Sequence, residues 1–441
     1  MSPSHTSTCC AVHRVHRGRL TPVNDILAEL QWRGLVSQTT DEGALRDALT
    51  SGPITAYCGF DPTAPSLHFG NLVQLIVMRH LQRAGHKVIC LVGGSTGLIG
   101  DPRPSAERVL KTKEQTAEWV AGIQQQVQPF LDFEGDNAAI MVNNLDWTAP
   151  LSALDFLRDI GKHFRVNQMV KKDAVAARLN SDEGISYTEF SYQILQGLDF
   201  LELYRAHGCT LQTGGQDQWG NLTAGSDLIH KVEGDSVHLL TTPLVTDSAG
   251  NKFGKSEGNA VWLSSEMTSP YAFYQYWLNV EDASVIKLVR IFTDRNQDEI
   301  AELERQVSEE PFRRAAQRAL AADVTTLVHG AGATASVQAA SEALFGKGDL
   351  AALDLRTLQD ATAELPGGEV SSGMTMTDAL VAVGLVDSRN AARRAIGDGG
   401  ASVNGEKVTD PEFTLADEHF LHGTVAILRR GRKSMAAARK V

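Results

Sequence analysis

The stretch from Tyr57 to Gly85 decides the fold, and it begins YCGFDPTAPSLHFGN before it continues into an apolar segment. The short apolar run that contains Tyr57 is bounded by glycines, which predicts a buried strand. From Asn71 onward the apolar residues recur at helical spacing until Gly85 ends the helix. The stretch therefore predicts strand, turn and helix, with His68 and Gly70 at the point where the helix begins.

Two interpretations of this helix start remain open on these residues alone. A helix N-terminus presents unpaired backbone N–H groups and a partial positive charge, which suits a phosphate. Gly70 allows close approach to the backbone, and His68 can donate a hydrogen bond to a phosphate oxygen. Alternatively, His68 is an ordinary helix cap, because strand, turn and helix with one histidine is common in α/β proteins.

A second buried strand is predicted at residues 87–92, an almost continuous apolar run that leads into GGSTGLIGDP. Strand, helix and strand within about forty residues form a βαβ unit, so we predict an α/β fold with a doubly wound parallel, Rossmann-like sheet. Ligands bind at the carboxyl ends of such strands. Residues 57–59 and 93–101 both lie at such ends.

A long helix is predicted from Thr188 to Tyr204, where apolar residues fill one side. Tyr192, Gln196 and Asp199 are spaced i, i+4, i+7 and share another face. Such a face is either a solvated surface or the wall of a polar pocket. Solvated surfaces usually carry Lys and Glu, so we favour the pocket.

The segment AGNKFGKSEG at residues 249–258 superficially matches a P-loop. Its spacing is one residue short of that motif, and no helix start follows, so we reject a Walker A site. A glycine-bearing loop with Lys252 and Lys255 remains. Its alternative interpretation is a solvated hairpin turn.

Bulk properties exclude several protein classes. The net charge of −12 argues against a surface that is basic throughout, and no apolar run approaches the roughly 20 residues of a membrane span. The five cysteines are odd in number and form no C-x-x-C pair, which fits a reducing cytoplasm rather than a disulfide framework or a zinc site. No metal-binding residues are predicted.

Basic residues concentrate near the C-terminus. Residues 374–441 carry ten Lys/Arg against eight Asp/Glu, although the whole chain is acidic. This reversal is typical of nucleic-acid contact, whereas a solvated appendage would not require it. The candidate RNA-binding residues are Arg389, Arg393, Arg394, Arg429 and Arg430.

With these motifs in place, the chain closely resembles the bacterial tyrosyl-tRNA synthetases, which are class I aminoacyl-tRNA synthetases. PSLHFGN at residues 65–71 resembles their H-I-G-H signature, and KFGKS at 252–256 resembles their K-M-S-K-S loop. GGxDQWGN and FSYxxLQ lie between them in the family's order. The last module resembles the S4-type RNA-binding fold.

The resemblance implies a role for each candidate residue. The activity would be ATP-dependent activation of L-tyrosine to tyrosyl-adenylate, followed by transfer to the 3′ end of tRNA(Tyr), with Mg²⁺ entering with ATP. The tyrosine pocket would comprise Tyr57, Asp101, Tyr192, Gln196, Asp199 and Gln218. Residues around ATP would be Cys58, Gly59, Asp61, Thr63, Gly70, Gly215 and Asp217. The catalytic set would be His68, Asn71, Lys252, Lys255 and Ser256, and Arg108 would join it.

The predicted organisation is a disordered N-terminal extension (1–22), a Rossmann-like catalytic domain (23–265), a helical domain (266–345), a linker (346–373) and an S4-like RNA-binding module (374–441). A cytoplasmic homodimer formed through the region after Asn144 is expected. Three departures from the family pattern are Asn71, Gln216 and the run Arg103-Pro104-Ser105. These departures keep a second hypothesis open, a catalytically silent RNA-binding paralogue, and a third, a nucleotidylyl transferase that does not depend on tRNA.

Overall fold

The fold is taken from a computed structural model that describes residues 25–103, 107–246, 260–345, 348–431 and 434–441. The chain divides into two compact units. One extends to Leu263 and includes Ile286–Glu302; the other comprises Ser264–Val285 and Leu303–Val441. Within the described part, no helix is both long and apolar enough to cross a bilayer.

A six-stranded sheet forms the centre of the first unit, in the order β1-β6-β5-β2-β3-β4. Neighbouring strands are parallel except β1 and β6, so the predicted doubly wound α/β architecture is confirmed. The strands are β1 (Gln38–Thr39), β2 (Thr55–Phe60), β3 (Lys87–Val92), β4 (Ile140–Asn143), β5 (Cys209–Gly215) and β6 (His238–Thr242).

Eleven helices of this unit precede residue 234 in the described ranges. They are α1 (Ile26–Trp32), α2 (Glu42–Ser51), α3 (Phe69–Arg83), α4 (Thr96–Ile99), α5 (Lys113–Val127), α6 (Leu145–Thr148), α7 (Ala153–Asp155), α8 (Val166–Met169), α9 (Asp173–Leu179), α10 (Tyr187–His207) and α11 (Trp219–Glu233). Side-chain caps define several starts: the Ser186 side chain accepts from Glu189 N at the start of α10. Gly208 ends α10 in the left-handed conformation.

The apolar spacing of residues 151–179 predicts two helices, with Leu154, Leu157, Ile160 and Phe164 on one face, and the structure departs from this prediction. Short helical pieces replace them, including a π-helical turn at Phe156–Ile160. Leu154 is 80% exposed and Leu157 is 50% exposed, so these apolar residues have no core beneath them to stabilise a longer amphipathic helix.

The segment Ile286–Glu302 packs with the first unit, although a single helical domain was expected from residue 266. Arg33, which is buried, donates hydrogen bonds to the main-chain carbonyls of residues 290, 293 and 295. Asp294 forms ion pairs with Arg79 and Arg83 of α3. These contacts fix the segment beside α1 and α3.

The second unit contains a helical part and a five-stranded sheet in the order β7-β11-β10-β8-β9. Its helices are α12 (Pro270–Leu278), α15 (Ala315–Phe345, kinked at Gly330), α16 (Leu355–Ala363), α17 (Met376–Ala382) and α18 (Arg389–Gly397), while α13 (Asp282–Phe292) and α14 (Gln297–Glu309) each contribute residues to both units. Its strands are β7 (Gly367–Val370), β8 (Ala401–Val403), β9 (Glu406–Val408), β10 (Val425–Arg430) and β11 (Ser434–Lys440).

Two sequence patterns in this unit have different outcomes. The Asn404-Gly405 dipeptide predicts a hairpin turn, and the β8–β9 hairpin turns at these two residues, both with positive φ. The glycine-rich run at residues 366–373, which belongs to the predicted linker, instead contains β7, which pairs in parallel with β11. Gly367 has no side chain and a Cβ there would lie 2.1 Å from the Ala437 carbonyl oxygen, so these glycines permit close strand pairing.

Candidate active site

A cavity of about 320 Å³ lies at the carboxyl ends of the parallel strands. Every described candidate residue for tyrosine, for ATP and for the signature at 68–71 lines it. These residues are Tyr57, Cys58, Gly59, Asp61, Thr63, His68, Gly70, Asn71, Asp101, Tyr192, Gln196, Asp199, Gly215, Asp217 and Gln218. Lys252, Lys255 and Ser256 lie outside the described residues.

His68 caps α3. Its Nδ1 accepts the Gly70 backbone N–H at 3.0 Å, while the Asn71 side-chain oxygen accepts the His68 N–H at 3.1 Å. Because Nδ1 accepts, a neutral His68 carries its proton on Nε2. The cap interpretation is therefore correct, and it leaves Nε2 as a hydrogen-bond donor. A Cβ on Gly70 would lie 2.9 Å from the imidazole Cε1, so this glycine accommodates the cap.

Asp199 and Tyr57 form one end of the cavity. Trp147 Nε1 donates to Asp199 Oδ1 at 2.9 Å, and Asn144 Nδ2 donates to Oδ2 at 3.0 Å. Burial nevertheless raises the pKa of the Asp199 carboxyl to about 7, against the effect of both hydrogen bonds. The buried Tyr57 hydroxyl has no hydrogen-bond partner among the residues that the structure describes. This end therefore offers a hydroxyl and a carboxylate that retain hydrogen-bonding capacity.

Asp61 also lines the cavity. Its carboxylate accepts hydrogen bonds from the Tyr192 hydroxyl at 2.8 Å and from Thr96 Oγ1 at 2.6 Å. Burial raises its pKa above the ordinary value. A Cβ on Gly93 would lie 2.0 Å from Asp61 Oδ1, so the glycine pair after β3 makes room for a carboxylate. Asp61, which is assigned to ATP, is thus hydrogen-bonded to Tyr192, which is assigned to the tyrosine substrate.

Asp101 is the third carboxylate of the cavity. Gln218 Nε2 donates to its Oδ2 at 3.1 Å, and Asn221 Nδ2 donates to its Oδ1 at 3.2 Å. Lys172 Nζ lies 3.4 Å from the same Oδ1 and also donates to Asn221. The Lys172 side chain is only 11% exposed. An ammonium group of the protein therefore already lies beside a carboxylate that the family resemblance places in the tyrosine pocket.

Both ends of the segment that carries the KFGKS motif lie at this cavity. Val245, before the segment, lines the cavity. After it, Trp262 forms an antiparallel bridge with His68, and Leu263 N donates to the Leu67 carbonyl at 2.9 Å. The described residues on either side of the motif are thus anchored beside the α3 N-terminus.

The five candidate RNA-binding arginines differ in their environment. Arg393 and Arg394 are exposed on α18, and Arg389 pairs with Asp378. Arg429 donates to the main-chain carbonyl of Leu344, and Arg430 donates to that of Leu385 at 3.1 Å. Arg429 and Arg430 therefore also connect parts of the second unit.

Sequence reasoning missed several polar residues of the site. Asn144 and Trp147 follow β4, so their position after a parallel strand was a usable signal. Gln74 and Gln212 line the cavity, and Gln74 Nε2 donates to Thr242 at 2.7 Å. Lys172 is remote in sequence, and no pattern in the chain indicates that it contacts Asp101.

No group of three or more His, Cys, Asp or Glu residues suited to a metal ion occurs in the described ranges. Asp61, Asp101 and Asp199, three of the four aspartates that line the cavity, each accept hydrogen bonds from protein donors.

Two family profiles match the chain. The profile of tRNA synthetases class I (W and Y) matches residues 49–346, and the tyrosine–tRNA ligase SYY-like C-terminal domain matches residues 357–437. The second match includes β7 and the β8–β11 sheet strands. Together the profiles cover the cavity and the C-terminal module.

Individual relatives agree with these profiles. The tyrosine–tRNA ligase of Streptomyces coelicolor is 61% identical over 94% of this chain and 99% of its own length, and that of Leifsonia xyli is 63% identical over 94% and 93%. A C-terminally truncated mitochondrial tyrosyl-tRNA synthetase of Coccidioides posadasii is 31% identical, with a TM-score of 0.63 over 71% of this chain and 90% of its own. The chain therefore belongs to the bacterial tyrosine–tRNA ligases, which are class I tRNA synthetases that form aminoacyl-tRNA.

Proposed function

We propose that this chain carries out both steps of tyrosine–tRNA ligation in the cavity at the carboxyl ends of β2, β3 and β5. The tyrosine carboxylate attacks the α-phosphate of ATP and expels pyrophosphate, and the 3′-terminal ribose of tRNA(Tyr) then accepts the tyrosyl group. No protein nucleophile is required. Catalysis consists of positioning the reactants and stabilising developing charge.

One observation carries the proposal: a single cavity joins the Tyr57 and Asp199 pair to the N-terminus of α3 at His68 and Gly70. The first pair suits a phenol, because Tyr57 can donate a hydrogen bond to the phenol oxygen, while Asp199 can accept a hydrogen bond from the phenol hydroxyl. The helix N-terminus suits phosphate. A substrate with a hydroxylated ring and a second substrate with a triphosphate therefore both meet complementary groups in the same cavity.

The remaining tyrosine contacts follow from charge. We assign the substrate ammonium to Asp101, Tyr192 and Gln196, which line the cavity between its two ends. The buried side-chain oxygen of Gln196 has no partner in the described part of the chain and can accept a hydrogen bond from the ammonium. Gln218, which donates to Asp101, would keep that carboxylate oriented.

We assign the ATP side to Cys58, Gly59, Asp61, Thr63, Gly70, Gly215 and Asp217, with His68 and Asn71 at the helix start. His68 Nε2 would donate to a phosphate oxygen, since Nδ1 is occupied by the cap. Lys252, Lys255 and Ser256 would close over the pyrophosphate. Their assignment is supported by Val245 and Trp262, which hold the two flanks of that segment beside the cavity.

The transfer step assigns tRNA(Tyr) to the C-terminal module. Exposed Arg393 and Arg394 on α18 are the residues best placed for phosphate contacts, because their guanidinium groups are accessible. Arg389, Arg429 and Arg430 would also contribute to RNA binding, in addition to their intramolecular contacts. We expect the enzyme to act in the cytoplasm, where its tRNA is used.

The first unit also presents a surface for a second copy. Leu154, Leu157 and Val166 are at least half exposed, and all three follow Asn144. Exposed apolar residues in one region are typical of an interface. We propose that this region forms the homodimer contact, so Leu154→Glu combined with Leu157→Glu should convert a dimer into a monomer in analytical ultracentrifugation. A wild-type chain that sediments as a monomer would contradict the contact.

Amino-acid-dependent ATP–pyrophosphate exchange tests the proposed reaction. Purified protein should exchange label with tyrosine and not with phenylalanine or tryptophan. Exchange with either of those amino acids but not with tyrosine would overturn the substrate assignment. Loss of exchange on Lys255→Ala would exclude a contaminating activity and a catalytically silent paralogue.

A further inference from the structure

Arg178 and Glu189 form a buried ion pair behind the cavity. Arg178 Nη1 lies 2.9 Å from Glu189 Oε2, and their side chains are 2% and 1% exposed. Neither residue lines the cavity. Burying two charges is expensive, so such a pair is weak evidence for added stability and better evidence for fixing a particular geometry.

The pair is connected to one short stretch of backbone. Glu189 Oε1 accepts the backbone N–H of Arg108 at 2.6 Å. Arg178 Nη1 donates to the Arg103 carbonyl at 3.4 Å, and its Nε donates to the Gly184 carbonyl at 2.9 Å. Residues 107–112 form neither helix nor strand, so no regular hydrogen-bond ladder holds Arg108. The Glu189 carboxylate supplies the missing acceptor.

Arg108 places a guanidinium at the cavity. It lines the cavity together with His68 and Gly70, and its Nε donates to the Asp101 carbonyl at 2.9 Å. Gly100 lies beneath its stem: a Cβ there would approach Arg108 Cγ to 2.8 Å. A planar guanidinium fixed in this way suits two oxygens of a polyphosphate.

We propose that Glu189, held by Arg178, is a positioning residue that directs Arg108 toward the polyphosphate of the nucleotide. This inference rests on the proposed function, because it assumes that the α3 end of the cavity binds ATP. Glu189 lies in the first turn of the helix that also carries Tyr192 and Asp199, so α10 orders both the amino-acid side and the phosphate side of the site. A displacement of Arg108 would weaken the phosphate contact without changing the tyrosine contacts.

A double-mutant cycle between Glu189→Gln and Arg108→Ala tests the inference. Glu189→Gln keeps the side-chain size, but the neutral amide has one acceptor oxygen. It therefore cannot accept hydrogen bonds from both Arg178 and the Arg108 N–H as the two carboxylate oxygens do. In exchange assays we expect it to lower kcat/KM for ATP by about tenfold, with KM for tyrosine within twofold of wild type. In the Arg108→Ala background the same change should have less than a twofold effect, because its target is absent.

The contrary results are distinct. Glu189→Gln could lower kcat/KM for ATP by the same factor in the wild-type and Arg108→Ala backgrounds, or it could raise KM for tyrosine instead. Either result would mean that Glu189 has only a structural role, and the inference would be overturned. Should Glu189→Gln fail to fold, Arg178→Lys runs the same cycle, since it keeps the charge but loses the fixed contacts to Gly184 and Arg103.

A second readout separates this inference from the proposed function. Inorganic pyrophosphate binding, measured by calorimetry, requires no turnover. We expect weaker binding for Glu189→Gln than for wild type, and no further weakening beyond Arg108→Ala in the double variant. Wild-type protein that binds pyrophosphate with this dependence but catalyses no tyrosine exchange would contradict the proposed function and retain the positioning role. Pyrophosphate binding that is indifferent to both changes would overturn the positioning role.

Discussion

Asn144 donates its side-chain amide to the Asp199 carboxylate at 3.0 Å, and this contact connects the end of β4 to the middle of α10. Trp147 donates to the other carboxylate oxygen, so both oxygens have one partner before any ligand binds. A carboxylate oxygen accepts more than one hydrogen bond. The protein therefore orients Asp199, and its carboxylate can still accept a hydrogen bond from a phenol hydroxyl.

Tyr57→Phe should reduce the preference for tyrosine over phenylalanine by about five- to tenfold, since one neutral hydrogen bond contributes roughly 1 kcal/mol. The fold should not suffer, because the hydroxyl is buried and none of the described residues forms a hydrogen bond with it. Exchange kinetics with both amino acids give the ratio. Tyr204→Phe, whose hydroxyl contacts Asp235 away from the cavity, is the matched control. An unchanged ratio in Tyr57→Phe would contradict the phenol assignment.

Asp199 should make stability depend on pH. Burial raises its pKa from the ordinary 3.8 to about 7, so the folded state binds a proton more tightly than the unfolded state. The free energy of unfolding should therefore fall as pH rises from about 4 to about 7, by on the order of a few kcal/mol. Urea unfolding at several pH values should show this loss in wild type and a smaller loss in Asp199→Asn.

The matched control for that measurement is Asp227→Asn, because Asp227 is an exposed acid on α11. Its pH profile should follow wild type. If Asp199→Asn retains the full wild-type decrease between pH 4 and pH 7, another group is responsible for it.

Lys172→Met should strengthen tyrosine binding several-fold. The Lys172 ammonium lies 3.4 Å from Asp101 Oδ1 and repels a second ammonium at the same carboxylate. Methionine retains much of the apolar stem that lies against Gly220. Equilibrium dialysis with labelled tyrosine measures the change, and Lys171→Met, at an exposed neighbouring position, is the control. Weaker tyrosine binding would mean that Lys172 organises Asp101 rather than competing for it.

Truncation after Leu365 should spare adenylate formation and reduce tRNA charging by at least a hundredfold. This cut removes β7 together with its partner β11, whereas a cut at residue 373 would leave β7 and the buried Val370 without a sheet. Exchange and charging assays on the same preparation provide the comparison. Full charging by the truncated chain would contradict a requirement for the C-terminal module.

The strand and helix pattern was largely readable from the sequence. Residues 87–92, the start of α3 and the Asn404–Gly405 turn were predicted because local rules, such as an apolar run, a helical period and a turn dipeptide, agree with the tertiary fold there. The region 151–179 failed because its apolar residues are exposed rather than packed. The strand β7 was missed because its glycines resemble a linker until β11 lies beside them.

The sequence by itself determined that its motifs follow parallel strands, and such strands end at one edge of the sheet. The role of each candidate residue there came from the family resemblance, and Gln74 and Gln212 of the cavity were missed. The sequence also determined the shared face of Tyr192, Gln196 and Asp199, because helical periodicity is local. Only the tertiary structure decided that Lys172 lies against Asp101, that Asn144 and Trp147 orient Asp199, and that Glu189 holds Arg108. These contacts join residues about 50 to 80 positions apart in the sequence. Local sequence patterns do not extend so far, so tertiary packing alone brings these side chains together.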